Sequence, residues 1–363
     1  MSINITKEMQ LRSEVNLGNP YRLLKMFEKA RRGEKISFVA IGGSVTMGCH
    51  SSTDETCYAA LIAKWLRETF PQCEVKFENA GIGATDSTIA LHRLKQDVFK
   101  YEPDFVVVEF SVNENNDDKN KIAYDNLVYN LLNYEKNPAV LLLSLMTNSG
   151  GNAQYVHSQV GRHYNLPIIS YRDGLWPEVE SGNIAWSDLA KDMVHPNDNG
   201  HYAAAKFVTN YLEELLDLSF DEYAESEKIQ HLTNPKYLNA RIYYPYDIEP
   251  ASYGCFNIED VHLRRMGKGW TARTNGEPLE FYFENCTRVF VLFERTNRGD
   301  GGKVLVSAND KEFMLDADFK DGWGLYANNV IVFDSDTPDN VSIKITPQLE
   351  ENKQFSVIGM MVS

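Results

Sequence analysis

Acyl transfer asks a protein for a nucleophilic hydroxyl, an imidazole to take its proton and a carboxylate to orient that imidazole. Four segments of this 363-residue chain offer such groups. Gly42-Gly43-Ser44-Val45-Thr46-Met47-Gly48 follows the apolar run Ile36–Ile41. Its glycines permit a tight turn that would expose the Ser44 hydroxyl beside free backbone N–H groups. Asn79-Ala80-Gly81-Ile82-Gly83-Ala84-Thr85-Asp86 follows Val75–Phe77. Its Gly81-x-Gly83 spacing invites a dinucleotide turn, but Asp86 stands where that fingerprint has its third glycine, and a carboxylate there repels pyrophosphate. Ser111-Val112-Asn113-Glu114 follows Phe105–Phe110, and an asparagine at a strand end either forms a turn or aims an N–H at a developing oxyanion. Asp192-Met193-Val194-His195-Pro196-Asn197 sets a carboxylate and an imidazole three residues apart, so that both reach one cleft.

These segments act together only if regular elements bring them to one edge. Leu23, Leu24, Phe27 and Ala30 share a helical face that Gly33 would stop. Periodicity predicts further helices over 58–69, 87–100, 122–133, 155–164 and 199 to about 216. Strands are predicted at 36–41, 75–77, 105–110, 140–145 and 168–170. Strands this apolar, alternating with helices, argue for a parallel sheet covered on both faces. All four segments then fall at the strands' carboxyl ends or before the last helix, where such sheets bind ligands.

After about residue 217 the pattern changes. Residues 218–240 are polar and acidic, as a linker or wrapping segment would be. Short strand-like runs follow at 279–283, 289–293, 304–307, 330–333, 341–345 and 355–362, separated by turn residues such as Asn275-Gly276 and Pro338-Asp339-Asn340. The expected architecture is an α/β domain over 1–217, a linker over 218–240, and an all-β jelly-roll-like sandwich over 241–363.

Read in order, GGS, NAGIGAT, SVNE and DMVHP resemble the four blocks of the SGNH (GDSL-type) hydrolases over residues 20 to 215. The resemblance implies a three-layer α/β domain in which Ser44 is the nucleophile, His195 the base and later acid, and Asp192 its orienting carboxylate. It also implies an oxyanion hole of the Ser44 and Gly83 backbone N–H groups and the Asn113 side chain, with Gly81 the competing assignment. There are departures: Gly43 replaces the usual aspartate before the serine, and Ser111 and Glu114 replace the usual glycine and aspartate of the third block. With the β domain added, the chain looks like bacterial carbohydrate acetyl esterases of two domains. That likeness implies removal of acetyl groups from manno- or xylo-oligosaccharides, with Trp176, Trp186 and Trp323 as candidate sugar-stacking residues. A lipase or thioesterase of the same superfamily is the enzyme alternative, and a carbohydrate-binding protein on a silent scaffold the non-enzymatic one.

The composition narrows the partners. The net charge of −15 is spread along the chain, which excludes a basic face for nucleic acid or an anionic membrane surface. Hydrophobic residues at 43% and charged residues at 24% suit globular domains. Five cysteines without a CxxC pair, and no signal-like start, point to a cytoplasmic protein without disulfides. The histidine spacings suggest no metal site; His50 either lines the cleft or is a plain loop residue. No cofactor is expected. The β domain is left with three roles: binding glycan, closing the cleft or holding a homodimer together.

Overall fold

The computed structural model describes residues 3–227, 230–237, 239–320, 322 and 324–363. The chain divides into two compact units, Met1–Asn234 and Pro235–Ser363.

The first unit holds a six-stranded sheet of β1 (Glu14–Asn16), β2 (Ile36–Gly42), β3 (Val75–Gly81), β4 (Phe105–Glu109), β5 (Ala139–Ser144) and β6 (Ile168–Ser170), ordered β1-β6-β5-β4-β2-β3. Strands β2 to β6 pair in parallel, and every residue of β2, β4 and β5 is buried. Burial on both faces is why these strands read as unbroken apolar runs. The sheet is not wholly parallel as expected, because β1 adds an antiparallel edge beside β6. From β2 the chain moves one way to β3, then crosses back to place β4 on the other side of β2. That reversal opens the crevice between the loops that follow β2 and β4.

Helices cover the sheet, with Phe27, Phe38, Tyr58, Leu66, Phe105, Leu141 and Phe207 in the core. The helix Tyr58–Thr69 falls where periodicity places it. The single helix expected over 87–100 is instead Ser87–His92, Leu94–Asp97 and a 3₁₀ turn at Phe99–Tyr101. At the first break Arg93 is fully buried and donates to the carbonyls of Ala80 and Gly42 at 2.7 and 3.4 Å, with Asp97 as its counter-ion at 2.9 Å. The helix Tyr171–Glu180 was not expected, since Gly174 and Pro177 are poor helix formers. A β-carbon at Gly174 would lie 2.5 Å from the Phe207 ring, so helix packing demands the glycine. Beyond the last long helix, Leu218, Phe220 and Tyr223 pack against the same core. Asp125 then accepts from the Thr233 backbone and hydroxyl at 2.8 and 2.6 Å, which fastens the chain to this unit up to its end. Among the described residues no helix is long and apolar enough to cross a membrane.

The second unit is all-antiparallel. Its strands are β7 (Arg241–Tyr243), β8 (Asn257–Asp260), β9 (Lys268–Ala272), β10 (Leu279–Thr296), β11 (Lys303–Ala308), β12 (Lys311–Asp316), β13 (Leu325–Gln348) and β14 (Phe355–Val362). They form one sheet ordered β12-β11-β13-β10-β14-β9-β8, with β7 also paired to β14. The runs 279–283 and 289–293, read as separate strands, are one strand, as are 330–333 and 341–345. The turn residues between them are absorbed as bulges: Asn285 adopts φ 54°, and the β10–β13 register shifts on both sides of Cys286, which faces Asp339. With no helix among the described residues of this unit, the sheet closes its own apolar face around Trp270, Phe281, Phe293, Ile343 and Phe355. Trp270 is fully buried and meets Phe281 edge-on at 5.1 Å. Trp323 lies outside the described residues.

Candidate active site

Strand β2 ends at Gly42, and a four-residue helix, Ser44–Met47, begins two residues later. The sharp entry depends on glycines. A β-carbon at Gly42 would strike the Thr46 hydroxyl at 2.0 Å, and one at Gly43 the Asn113 side-chain oxygen at 2.3 Å. Gly43 is thus tied to Asn113, which gives the departure from the usual aspartate a steric reason. Asn79 braces the turn, donating from Nδ2 to the Thr46 carbonyl at 2.7 Å. The result is a half-buried Ser44 at the first position of a helix, where the backbone N–H has no intrahelical acceptor.

His195 reaches Ser44 from the loop before the helix Asp198–Glu214. Its Nε2 lies 2.8 Å from Ser44 Oγ, and its Nδ1 lies 2.7 Å from Asp192 Oδ2. A neutral ring that donates from Nδ1 to the carboxylate presents a lone pair to the serine hydroxyl. The other Asp192 oxygen accepts the backbone N–H groups of Val194 and His195, each at 2.7 Å. Burial pushes the Asp192 carboxyl up, but the hydrogen bonds from the His195 backbone and ring and from Val194 outweigh it, leaving its pKa below the ordinary value. The loop is closed by a bridge between Ala190 and Pro196, and the Trp186 indole donates to the Asp192 carbonyl at 2.7 Å. Trp186, singled out for sugar stacking, therefore braces the carboxylate loop. Trp176 lies half-buried over Gly150, where a β-carbon would come within 2.7 Å of the indole.

Two glycines compete for the space beside Ser44, and the structure separates their surroundings. The Gly81 N–H donates to Asn79 Oδ1 at 2.9 Å, and a β-carbon there would lie 2.2 Å from the Met47 backbone nitrogen. Gly81 is packed and committed. At Gly83 a β-carbon would sit 3.9 Å from the Ser44 β-carbon, and its N–H has no acceptor among the described residues. The Asn113 amide lies against Gly43, and its buried Oδ1 has no hydrogen-bond partner among the described residues. Asp86 caps the helix Ser87–His92 by accepting from Ile89 N–H at 2.9 Å, so the carboxylate itself occupies the end that a dinucleotide would need.

Sequence reasoning missed the buried layer beneath these loops. Glu109, the last residue of β4, is fully enclosed; burial pushes its carboxyl up to about 7, although the Ser111 hydroxyl and N–H donate to it at 2.8 and 2.9 Å. Ser111 Oγ in turn accepts from Leu145 N–H at 2.7 Å, which is the work of a serine in the place of the usual glycine. Glu114 accepts from Ser87 N–H and His157 Nε2, both at 2.7 Å, tying the start of one helix to the middle of another. Asp117 caps the helix Asp118–Leu132 through Asn120 N–H. His50, left between two readings, stands beside His195, the two rings 5.4 Å apart. His50, Asp192 and His195 bring ligand atoms within 4.8 Å of one another, a grouping that spacing in the chain gave no sign of.

A serine at a strand-to-helix turn, hydrogen-bonded to an imidazole that a carboxylate orients, on a parallel α/β sheet, is the arrangement that serine hydrolases use. Residues 40–203 match the model of the GDSL-like Lipase/Acylhydrolase family. Two crystal structures of a two-domain esterase (CEX) active on acetylated mannans, one co-crystallised with mannopentaose, match this chain with a TM-score of 0.90 at 29% identity, covering 98% of each chain. No curated protein matches it. The protein is a carboxylic ester hydrolase whose residues 40–203 are similar to the GDSL-like lipase/acylhydrolase family.

Proposed function

We propose that this protein is a serine esterase that removes O-acetyl groups from oligosaccharides of the mannan or xylan type through an acyl-enzyme. The observation that carries the reading is the relay from Ser44 Oγ through His195 to Asp192, with links of 2.8 and 2.7 Å. In the reaction, His195 Nε2 takes the Ser44 proton as Oγ attacks the acetyl carbonyl carbon. The developing oxyanion accepts from the backbone N–H groups of Ser44 and Gly83 and from the Asn113 amide. His195 passes its proton to the departing sugar oxygen. It then takes one from water, which attacks the acetyl-Ser44 carbonyl, and returns it to Ser44 Oγ as acetate leaves. Asp192 holds Nδ1 protonated throughout and balances the imidazolium.

The sugar reading is supported by the likeness to an esterase active on acetylated mannans. Acetate release from acetylated manno- and xylo-oligosaccharides tests it. Release that disappears in Ser44→Ala supports the proposal. No release from any acetylated glycan overturns it, and activity on nitrophenyl esters peaking at octanoyl or longer would point to a lipase or thioesterase instead.

A further inference from the structure

The loop after the Ser44–Met47 helix passes twice through the left-handed region, at Gly48 (φ 97°) and His50 (φ 67°). For a residue with a β-carbon that conformation costs on the order of 1 kcal/mol, so the surroundings must hold it. His201 does so from beneath. Its Nδ1 accepts the Tyr58 N–H at 3.3 Å, which leaves the ring proton on Nε2 to donate to the Cys49 carbonyl at 3.3 Å. Burial keeps His201 neutral, its pKa pushed down to about 4.

The turn aims His50 at Asp192. His50 Nδ1 lies 3.7 Å from Asp192 Oδ2, too far for a hydrogen bond, and this buried nitrogen has no hydrogen-bond partner among the described residues. The same oxygen accepts from His195 Nδ1 at 2.7 Å. Two imidazoles therefore converge on one carboxylate, and the second is left unsatisfied. A zinc ion takes imidazole and carboxylate ligands at about 2.0–2.2 Å in a tetrahedron. Donor atoms within 4.8 Å of one another reach that spacing by small side-chain shifts, and the Asp192 side chain is 41% exposed, which gives an ion access.

We propose that His50, Asp192 and His195 form an inhibitory site for Zn²⁺. The ion would bind His50 Nδ1, Asp192 Oδ2 and His195 Nδ1, with water completing the shell. Metal on Nδ1 confines the single proton of the neutral His195 ring to Nε2. That nitrogen faces Ser44 and then has no lone pair with which to take the serine proton. The proton moves from one ring nitrogen to the other, nothing is oxidised or reduced, and removing the ion restores the working tautomer.

Zn²⁺ titration by calorimetry tests the site without turnover, so the binding result does not depend on the esterase reading. Wild type should bind Zn²⁺, and affinity should fall about tenfold or more in His50→Ala and in His50→Gln. Thermal melting confirms that both variants are folded. Cys49→Ser should keep the affinity, separating imidazole from thiol ligation. In parallel, Zn²⁺ should inhibit 4-nitrophenyl acetate hydrolysis, with weaker inhibition in the His50 variants and recovery on adding EDTA. Equal affinity in wild type and both His50 variants, no binding by wild type at millimolar Zn²⁺, or loss of binding in Cys49→Ser would overturn the proposal. Binding that depends on His50 in a protein without hydrolysis would uphold the site and remove the esterase reading.

Discussion

The first unit contains two acid–imidazole pairs with the same 2.7 Å link and opposite settings. In His195–Asp192 the carboxylate is 41% exposed, and the imidazole nitrogen that does not touch it faces Ser44 Oγ. In His157–Glu114 both side chains are 1% exposed, the ring stacks on Tyr124 at 3.7 Å, and its other nitrogen is buried without a partner among the described residues. Glu114 spends its second oxygen on Ser87 N–H. The pairing alone therefore does not make a catalytic group. What matters is whether the far nitrogen has a proton to take and whether the carboxylate can be reached. One pair is open toward chemistry, and the other joins two helices.

Substitutions can break this contrast from either side. The largest expected effect is in the open pair. Ser44→Ala or His195→Ala should lower kcat for acetyl ester hydrolysis by about 10⁴-fold or more while leaving the unfolding midpoint near wild type. Asp192→Asn should cost a similar factor, because it unsettles the His195 tautomer. In the closed pair, Glu114→Ala or His157→Ala should instead remove about 3–5 kcal/mol of stability in urea unfolding, since each leaves a buried polar partner alone. A loss of hydrolysis in a His157 variant as deep as in His195→Ala, without a stability change, would erase the distinction.

Smaller effects sharpen it. Asn113→Ala should lower kcat by about 10²–10³-fold with little change in KM, as removal of an oxyanion donor does. A change confined to KM would place Asn113 in substrate binding. Glu109 concerns the buried layer. Its folded pKa is raised from the ordinary 4.5 to about 7, so its contribution to stability is full below 4.5 and is lost as pH rises toward 7. Glu109→Gln should therefore gain stability relative to wild type at pH 8 and not at pH 4; a gain independent of pH would contradict this. Trp186→Phe removes one hydrogen bond to the Asp192 carbonyl, worth about 1 kcal/mol, and should slow hydrolysis only about fivefold.

The strands β2, β4 and β5 were legible in the sequence because burial on both faces leaves no polar interruption. The first three loops were legible for a related reason, since each follows an apolar run, and the fourth was legible because it precedes the last long helix. The antiparallel β1 was not, because three residues of intermediate burial carry no alternation to detect. The helix Tyr171–Glu180 was hidden by a glycine and a proline that tertiary packing overrides. In the second unit, Pro338-Asp339-Asn340 resembles a hairpin turn in the sequence but sits within a long bulged strand. The approach of His50 to Asp192 and the Glu114–His157 pair could not be read, since the partners lie 142 and 43 positions apart and no spacing rule connects them.

In the proposed reaction Ser44 carries the acetyl group between substrate and water. Rapid acid quench during turnover of an acetylated oligosaccharide, followed by mass spectrometry of the digested protein, tests it most directly. An acetyl adduct is expected on the peptide containing Ser44, absent from Ser44→Ala, which should release no acetate above background. An adduct on another residue, or undiminished acetate release by Ser44→Ala, would contradict it.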